Sequence, residues 1–245
     1  FLEINTEEGI RVYLRSLLFM LLATVEKLHP EAKLEVRNTL GSALYIADKS
    51  AKPLNYRDWY GVEKAMHAYV EAKEPFKLRI SDKADAIAIA KKNGLQDKVD
   101  MLQELPDDHP MHIYSFAGKE GYYFGSICPD ASYIPLFEVI PYGHGIILNY
   151  PDVGAYNELP PFEDCPLLQD AFDRMEEWSS LINCNTIAKL NRLQKEGKID
   201  RTIQVAEALQ EKNLAKIADL IAARKVIEIM HSERLGVCSL RVIAV

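Results

Sequence analysis

Helical and strand-like patterns follow one another along this chain in blocks and do not alternate one for one, and that order limits the fold more than any other feature. Residues 7–28 repeat with helical period and set Ile10, Leu14, Leu17, Leu18, Leu21, Leu22 and Val25 on one broad face; Pro30 stops the helix. Residues 33–37 and 43–47 alternate apolar and polar around residues 38–41, which predicts a hairpin. A second helix over 55–73, capped near Asn55, precedes a short strand over 76–80. Ser81 is then the expected cap of a helix over 82–93 that Gly94 ends, with a short helix over 97–105 after it. Strands over 111–116 and 122–126 flank a glycine-bearing loop. Strands over 136–140 and 146–149 flank a second such loop, residues 142–145. Residues 152–166 carry Pro160, Pro161 and Pro166 among acids and read as a linker or a strapped surface loop. Helical patterns return over 167–182, 186–196 and 202–224, followed by apolar runs at 226–229 and 237–245. Strict alternation would give a doubly wound sheet; this order predicts an α+β fold, an antiparallel sheet with packed helices. The expected division is an α+β domain over 1–155, a helical connector over 156–225 and a strand-rich tail over 226–245.

Charge and composition narrow the function classes. The net charge is −7, which argues against a general nucleic-acid binder, since that role needs a basic face to displace counterions; a local basic groove stays open. No run of about 18 apolar residues exists. The richest stretch, residues 14–25, is broken by Arg15, Ser16 and Thr24, so no membrane span is expected. The opening residues lack the basic region of a signal peptide, and the start at Phe1 suggests a fragment or a processed start. Cys128, Cys165, Cys184 and Cys238 show no metal or redox spacing and read as reduced, buried thiols of a cytoplasmic protein.

Catalytic motifs are missing. No glycine-rich phosphate loop, nucleophile elbow or H-E-x-x-H occurs. His109 and His112 lie beside Asp107 and Asp108, but Pro106 and Pro110 make this a turn, where polar residues are expected without a metal. His29, His67, His144 and His231 are dispersed. The expectation is a chain with no catalytic residue, no metal and no cofactor of its own.

Three stretches carry a resemblance: Tyr13-Leu-Arg-Ser-Leu-Leu-Phe-Met-Leu-Leu22, the run from Gly121 to Phe137 and the run from Val205 to Arg224. Together they resemble the region that precedes the kinase domain in bacterial uridine-kinase-like nucleoside kinases. That region is similar to the second additional domain of threonyl- and alanyl-tRNA synthetases, an editing-type domain, followed by a helical connector. In the synthetases this domain edits mischarged tRNA with an H-x-x-x-H on the first helix and a C-x-x-x-H further on. Carried over residue by residue, the resemblance puts Arg15 and Phe19 at the first pair and Tyr123 and Ile127 at the second. None of these is a good zinc ligand. Metal binding and ester hydrolysis are therefore not expected, and the positions form a degenerate metal site.

In place of the metal, Arg15 and Tyr123 are expected to frame a ligand pocket, a guanidinium and a phenol suited to a phosphate, a carboxylate or a base. The plainer reading has Arg15 reaching solvent or pairing with Glu7 or Glu8. Asp130, Ser132 and Tyr133 form a polar loop after Pro129, a ligand contact or an Asx turn. His144, between two glycines, is a ligand contact or a solvent-exposed turn residue. Tyr56, Trp59, Tyr60 and Tyr69 form an aromatic group on the second helix, core by default and a stacking platform otherwise.

The leading expectation is a non-catalytic regulatory or substrate-recognition module of a nucleoside-kinase-like protein whose parent phosphorylates a pyrimidine nucleoside. ATP and Mg belong only to an attached kinase domain. The strand-like residues 226–229 continue into residues 230–237 without the Gly-Lys-Ser/Thr of a phosphate loop, so the kinase part is either missing or diverged. One alternative is a tRNA or aminoacyl-ester binding module; another is a docking or dimerisation element built on Val205, Leu209, Ile217, Leu220 and Ile221. The expected partners are an attached or separate kinase domain, a nucleoside or nucleotide ligand and a second copy of the chain, with nucleic acid and membrane disfavoured.

Overall fold

The computed structural model describes residues 3–222 and the backbone of 226–231 and 240–244. Two compact units divide it, Phe1–Trp178 and Ser179–Val245.

The first unit is organised around one helix, α1 (Glu7–Leu28). Thr6 caps it, its hydroxyl accepting the Gly9 N–H at 3.1 Å, and Glu7 and Glu8 sit in the first turn, where the helix dipole favours acids. Leu17, Phe19, Met20 and Leu21 are fully buried. A four-stranded antiparallel sheet packs with α1 in the main core. It consists of β1 (Leu34–Leu40), β2 (Ala43–Asp48), β6 (Glu138–Tyr142) and β7 (Gly145–Asn149), in the order β1-β2-β7-β6. The helix α2 (Tyr56–Ala72) adds Trp59, Val62 and Met66 to the same core. A second, three-stranded antiparallel sheet has the order β3-β4-β5, from β3 (Lys77–Ser81), β4 (Met111–Phe116) and β5 (Lys119–Tyr122). Its Met111, Ile113 and Tyr122 pack on α3 (Lys83–Lys92) and α4 (Gln96–Gln103), forming a smaller core with Ala86, Ile89, Val99 and Leu102. The fold is α+β with antiparallel sheets and packed helices.

Every residue of β2 is buried, because the four-stranded sheet is covered on both faces. Ile46 faces the α1 core; Ala43, Tyr45 and Ala47 join Ile147, Phe162 and Leu168 on the other side. The proline-rich stretch lies over that outer face. Asn149 Nδ2 donates to the Pro160 carbonyl at 2.9 Å, and the Tyr142 hydroxyl donates to Asp164 at 2.6 Å. Helix α5 (Pro166–Leu181) continues the cover, with Glu176 3.2 Å from Arg37.

Local details depart from the sequence expectations for physical reasons. Asp82, not Ser81, caps α3: its carboxylate accepts the Asp85 N–H at 2.8 Å, while Ser81 closes β3 and donates to the Asp85 side chain. The turn before β5 is tighter than expected. Ala117 and Gly118 both take positive φ (48° and 93°), the signature of a two-residue hairpin turn, so the ladder begins at Lys119 and ends at Tyr122. Residues 123–126 leave the sheet. Cys128, Cys165 and Cys184 are unbridged and half-buried rather than fully buried; Cys238 lies outside the described residues.

The second unit contains α6 (Ile187–Lys195), capped by Thr186, α7 (Ile199–Ala222), and the antiparallel pair β8 (Val226–His231) and β9 (Leu240–Ala244). On α7, Val205 and Ile221 are exposed and Leu209 and Ile217 are partly covered; the Leu220 side chain lies outside the described residues. Among the described residues, no helix is long and apolar enough to cross a membrane.

Candidate functional site

The segment that leaves β5 crosses α1, and this crossing builds the site. Ser16 ties it down: its hydroxyl donates to the Val12 carbonyl and accepts the Cys128 N–H at 2.8 Å. One residue earlier on the helix, Arg15 donates from Nη1 to the Ser126 carbonyl at 2.6 Å. Glycine at 125 makes room for this contact, since a Cβ there would lie 2.5 Å from Arg15 Nη1 and 2.6 Å from Cζ. Glu7 and Glu8 do not pair with Arg15; both lie 3.5 Å from Arg11 instead.

Phe19, one turn beyond Arg15, is fully buried, and its ring centroid lies 4.9 Å from that of Tyr123. Ile127 is buried in the same core. Arg15, Phe19, Tyr123 and Ile127 therefore do converge on one seam between α1 and the segment after β5, with a side-chain chemistry opposite to that of a metal centre. Among the described residues, no three His, Cys, Asp or Glu side chains gather to hold an ion. His109 is exposed in its turn, and His112 lies on β4.

Two lysines that sequence reasoning missed complete the seam. Lys98 reaches from α4 to place Nζ 4.8 Å from the centre of the Tyr123 ring, a cation–π contact. Burial, with Lys119 nearby, lowers its pKa from the ordinary 10.5 to about 8. Lys119 pairs with Glu26 of α1. Burial also pushes the Tyr123 phenol well above the usual tyrosine range, so it stays a protonated O–H donor at neutral pH. Along α1 the seam thus runs from Arg15 at the Ser126 carbonyl, past Phe19 and Tyr123 with Lys98 over the Tyr123 ring, to Lys119, whose charge is met by Glu26. The only trace of Lys98 in the sequence was a lysine in a polar helix, which is ordinarily a solvated residue.

The remaining expected pocket residues are not gathered here. Asp130 accepts the Ser132 N–H and hydroxyl at 2.9 and 2.5 Å, an Asx turn capping a short 3-10 turn at Ala131–Tyr133. Ser132 and Tyr133 line a separate cavity of about 380 Å³, shared with Tyr13, Cys128 and Leu136 near the start of α1. His144 is exposed at the β6–β7 turn, where its carbonyl accepts the Asp48 N–H at 2.8 Å.

The Lys98 environment makes a pH prediction. Between pH 8 and 10.5 the unfolded chain binds more protons at this position than the folded one, so the folded state gains stability as pH rises through that window. Below it, the buried ammonium costs up to about 3 kcal/mol. Lys98→Met should therefore melt higher than wild type at pH 7, and the gap should close towards pH 10.5. Equal gaps at both ends would show that Lys98 is well solvated.

The chain is distantly similar to threonyl-tRNA synthetases. The threonine–tRNA ligase of Symbiobacterium thermophilum is 26% identical over 180 residues, which is 72% of this chain and 27% of that protein. That of Acidithiobacillus ferrooxidans is 26% identical over 110 residues, 45% of this chain and 17% of that protein. That of Desulfovibrio desulfuricans is 24% identical over 124 residues, 51% and 18%. The chain thus spans less than a third of the synthetases it matches. No protein-family profile matches it. The synthetase similarity fits an editing-type α+β domain, and nothing in these comparisons supports a tie to uridine kinases.

Proposed function

We propose that this chain is a binding module for the aminoacyl-ester end of tRNA, one that holds the ester without hydrolysing it. A single observation supports this reading: Arg15 and Tyr123, two of the positions that the resemblance to synthetase editing domains carries over, lie along one seam of α1, and Lys98 sits over the Tyr123 ring. A terminal nucleotide presents a phosphodiester for Arg15 and Lys98, and an ester carbonyl for the Tyr123 O–H. Hydrolysis needs a base or a metal to activate water. Arg15 is always protonated, Tyr123 is an acid only far above neutral pH, and Phe19 and Ile127 offer no lone pair. A phosphate bound beside Lys98 would raise its pKa again and keep it charged.

The accessory-module reading, in which the chain serves a nucleoside kinase, rests on the resemblance of residues 205–224 and has no support among the relatives. The same experiment separates the two. A thermal-shift titration would use a non-hydrolysable seryl-adenosine monophosphate with an amide in place of the ester. Serine, threonine, uridine, cytidine, UTP and zinc would be the comparisons. The expected result is stabilisation by the aminoacyl nucleotide, lost in Arg15→Ala and in Gly125→Ala, which displaces the guanidinium without touching its charge. Serine release from mischarged tRNA should stay at the uncatalysed rate. A shift confined to uridine or cytidine would replace this proposal with the kinase-linked one. A shift with zinc alone, or with nothing, would overturn it.

A further inference from the structure

The sequence grouped Tyr56, Trp59, Tyr60 and Tyr69 as one aromatic cluster, but the fold divides them. Trp59 is 2% exposed and belongs to the core; Tyr69 packs edge-on against Phe116. Tyr56 and Tyr60 are 70% and 60% exposed, one turn apart on the outward face of α2. Arg57 and Lys64 are exposed on the same side. At 100° per residue, Tyr56, Tyr60, Lys64 and Arg57 fall within about 100° of arc, opposite Val62 and Met66.

The acids in the first half of α2 are engaged in backbone hydrogen bonds. The Asp58 carboxylate accepts the Asn55 N–H at 2.9 Å as half of the capping box, and Glu63 accepts the Val139 N–H of β6 at 2.9 Å. Glu71 is the first acid on the outward face, near the far end of the helix. A chain of net charge −7 thus presents, on one rigid helix, two cations interleaved with two solvent-facing aromatic rings. Net charge argued against nucleic acid for the chain as a whole; the Tyr56–Lys64 stretch of this face nonetheless offers Arg57 and Lys64 to solvent. An acidic protein segment would satisfy Arg57 and Lys64 but would leave two large rings in water. A single RNA strand satisfies both, because its phosphates alternate with flat bases.

We infer that the outward face of α2 is a contact surface for single-stranded RNA, with Tyr56 and Tyr60 stacking on bases and Arg57 and Lys64 taking phosphates. From Tyr56 to Lys64 the strip runs about 12 Å along the helix axis, enough for a few nucleotides. The inference rests on the tRNA reading above and extends it from the ester to the strand that bears it.

The test is fluorescence anisotropy of a short labelled single-stranded RNA with the whole chain across a salt series. The comparison variants are Tyr56→Ala/Tyr60→Ala and Arg57→Gln/Lys64→Gln, all at exposed positions, with melting curves to confirm folding. The tyrosine pair should weaken binding by roughly tenfold to a hundredfold and leave the salt dependence unchanged. The charge pair should flatten the slope of log affinity against log salt by about 1.4, or about 0.7 for each phosphate contact. Wild-type-like binding by both variants, no binding by wild type, or equal competition by polyglutamate would each overturn the inference. The seryl-adenosine titration is run on the same variants and should be unchanged. If it is unchanged while RNA binding is indifferent to α2, the strand surface fails and the ester reading stands. If wild type ignores the analogue but the α2 variants lose RNA, the ester reading fails and the surface stands.

Discussion

Gly145→Ala should destabilise the protein by about 3 kcal/mol or more, the upper range for overpacking a core. Gly145 begins β7 and faces Ala47 of β2 in the ladder. A Cβ at this position would lie 2.1 Å from the Ile46 carbonyl oxygen, 2.9 Å from Ala47 Cα and 3.0 Å from the Ile46 carbonyl carbon. All three are backbone atoms of a strand buried on both faces, so no side chain can swing aside to make room. The strand pair must separate, and with it the sheet that joins α1 to the outer cover. In a unit of this size that loss lowers the melting temperature by roughly 6–12 °C. Thermal and urea unfolding of the variant check the prediction; a melting temperature within about 2 °C of wild type would refute it. Gly118→Ala, with open space around its would-be Cβ, is the control for backbone strain alone at φ +93°.

Phe19→Ala should cost about 3–5 kcal/mol, the usual range for truncating a buried aromatic residue. Phe19 has no exposed surface and lies within ring-stacking range of Phe76, Phe116 and Tyr123, at centroid distances of 6.0, 6.3 and 4.9 Å. Removing it leaves a cavity between α1 and the three-stranded sheet, which neither element can close without dragging the other. Phe19→Leu, which keeps most of the volume, should cost clearly less. The alanine variant should also lose affinity for the seryl-adenosine analogue, because Tyr123 and the lysine above it lose their backing. Equal costs for leucine and alanine would mean that packing at this position is loose.

These expectations differ in how far the sequence revealed them. The bounds of α1 follow from a polar cap, a periodic apolar face and a proline. The capping box of α2 needs only residues three apart, Asn55 and Asp58. The division of the α2 aromatics was also present in the spacing. Tyr56 and Tyr60 lie one turn apart, whereas Trp59 lies about 60° from Tyr56 on the side of Val62 and Met66, a distinction that aromatic content alone hides. Asp82 could be told from Ser81 only by where β3 ends, and that depends on pairing with Met111 across the sheet. The residue types at Arg15, Phe19, Tyr123 and Ile127 were readable from the sequence, and the structure lines them along one seam. The approach of Lys98 to Tyr123, and of Lys119 to Glu26, was not, because each lysine arrives from a separate element.

By itself the sequence determined the helices, the hairpins and the α+β class. Each depends on residue type and on neighbours a few positions away, where steric and hydrogen-bond preferences act directly. Only the tertiary structure decided that β7 inserts between β2 and β6, that glycine 125 lets Arg15 reach a carbonyl 111 residues away, and that Lys98 settles on Tyr123. Those choices belong to burial and packing, which couple residues through space and leave no periodic trace along the chain.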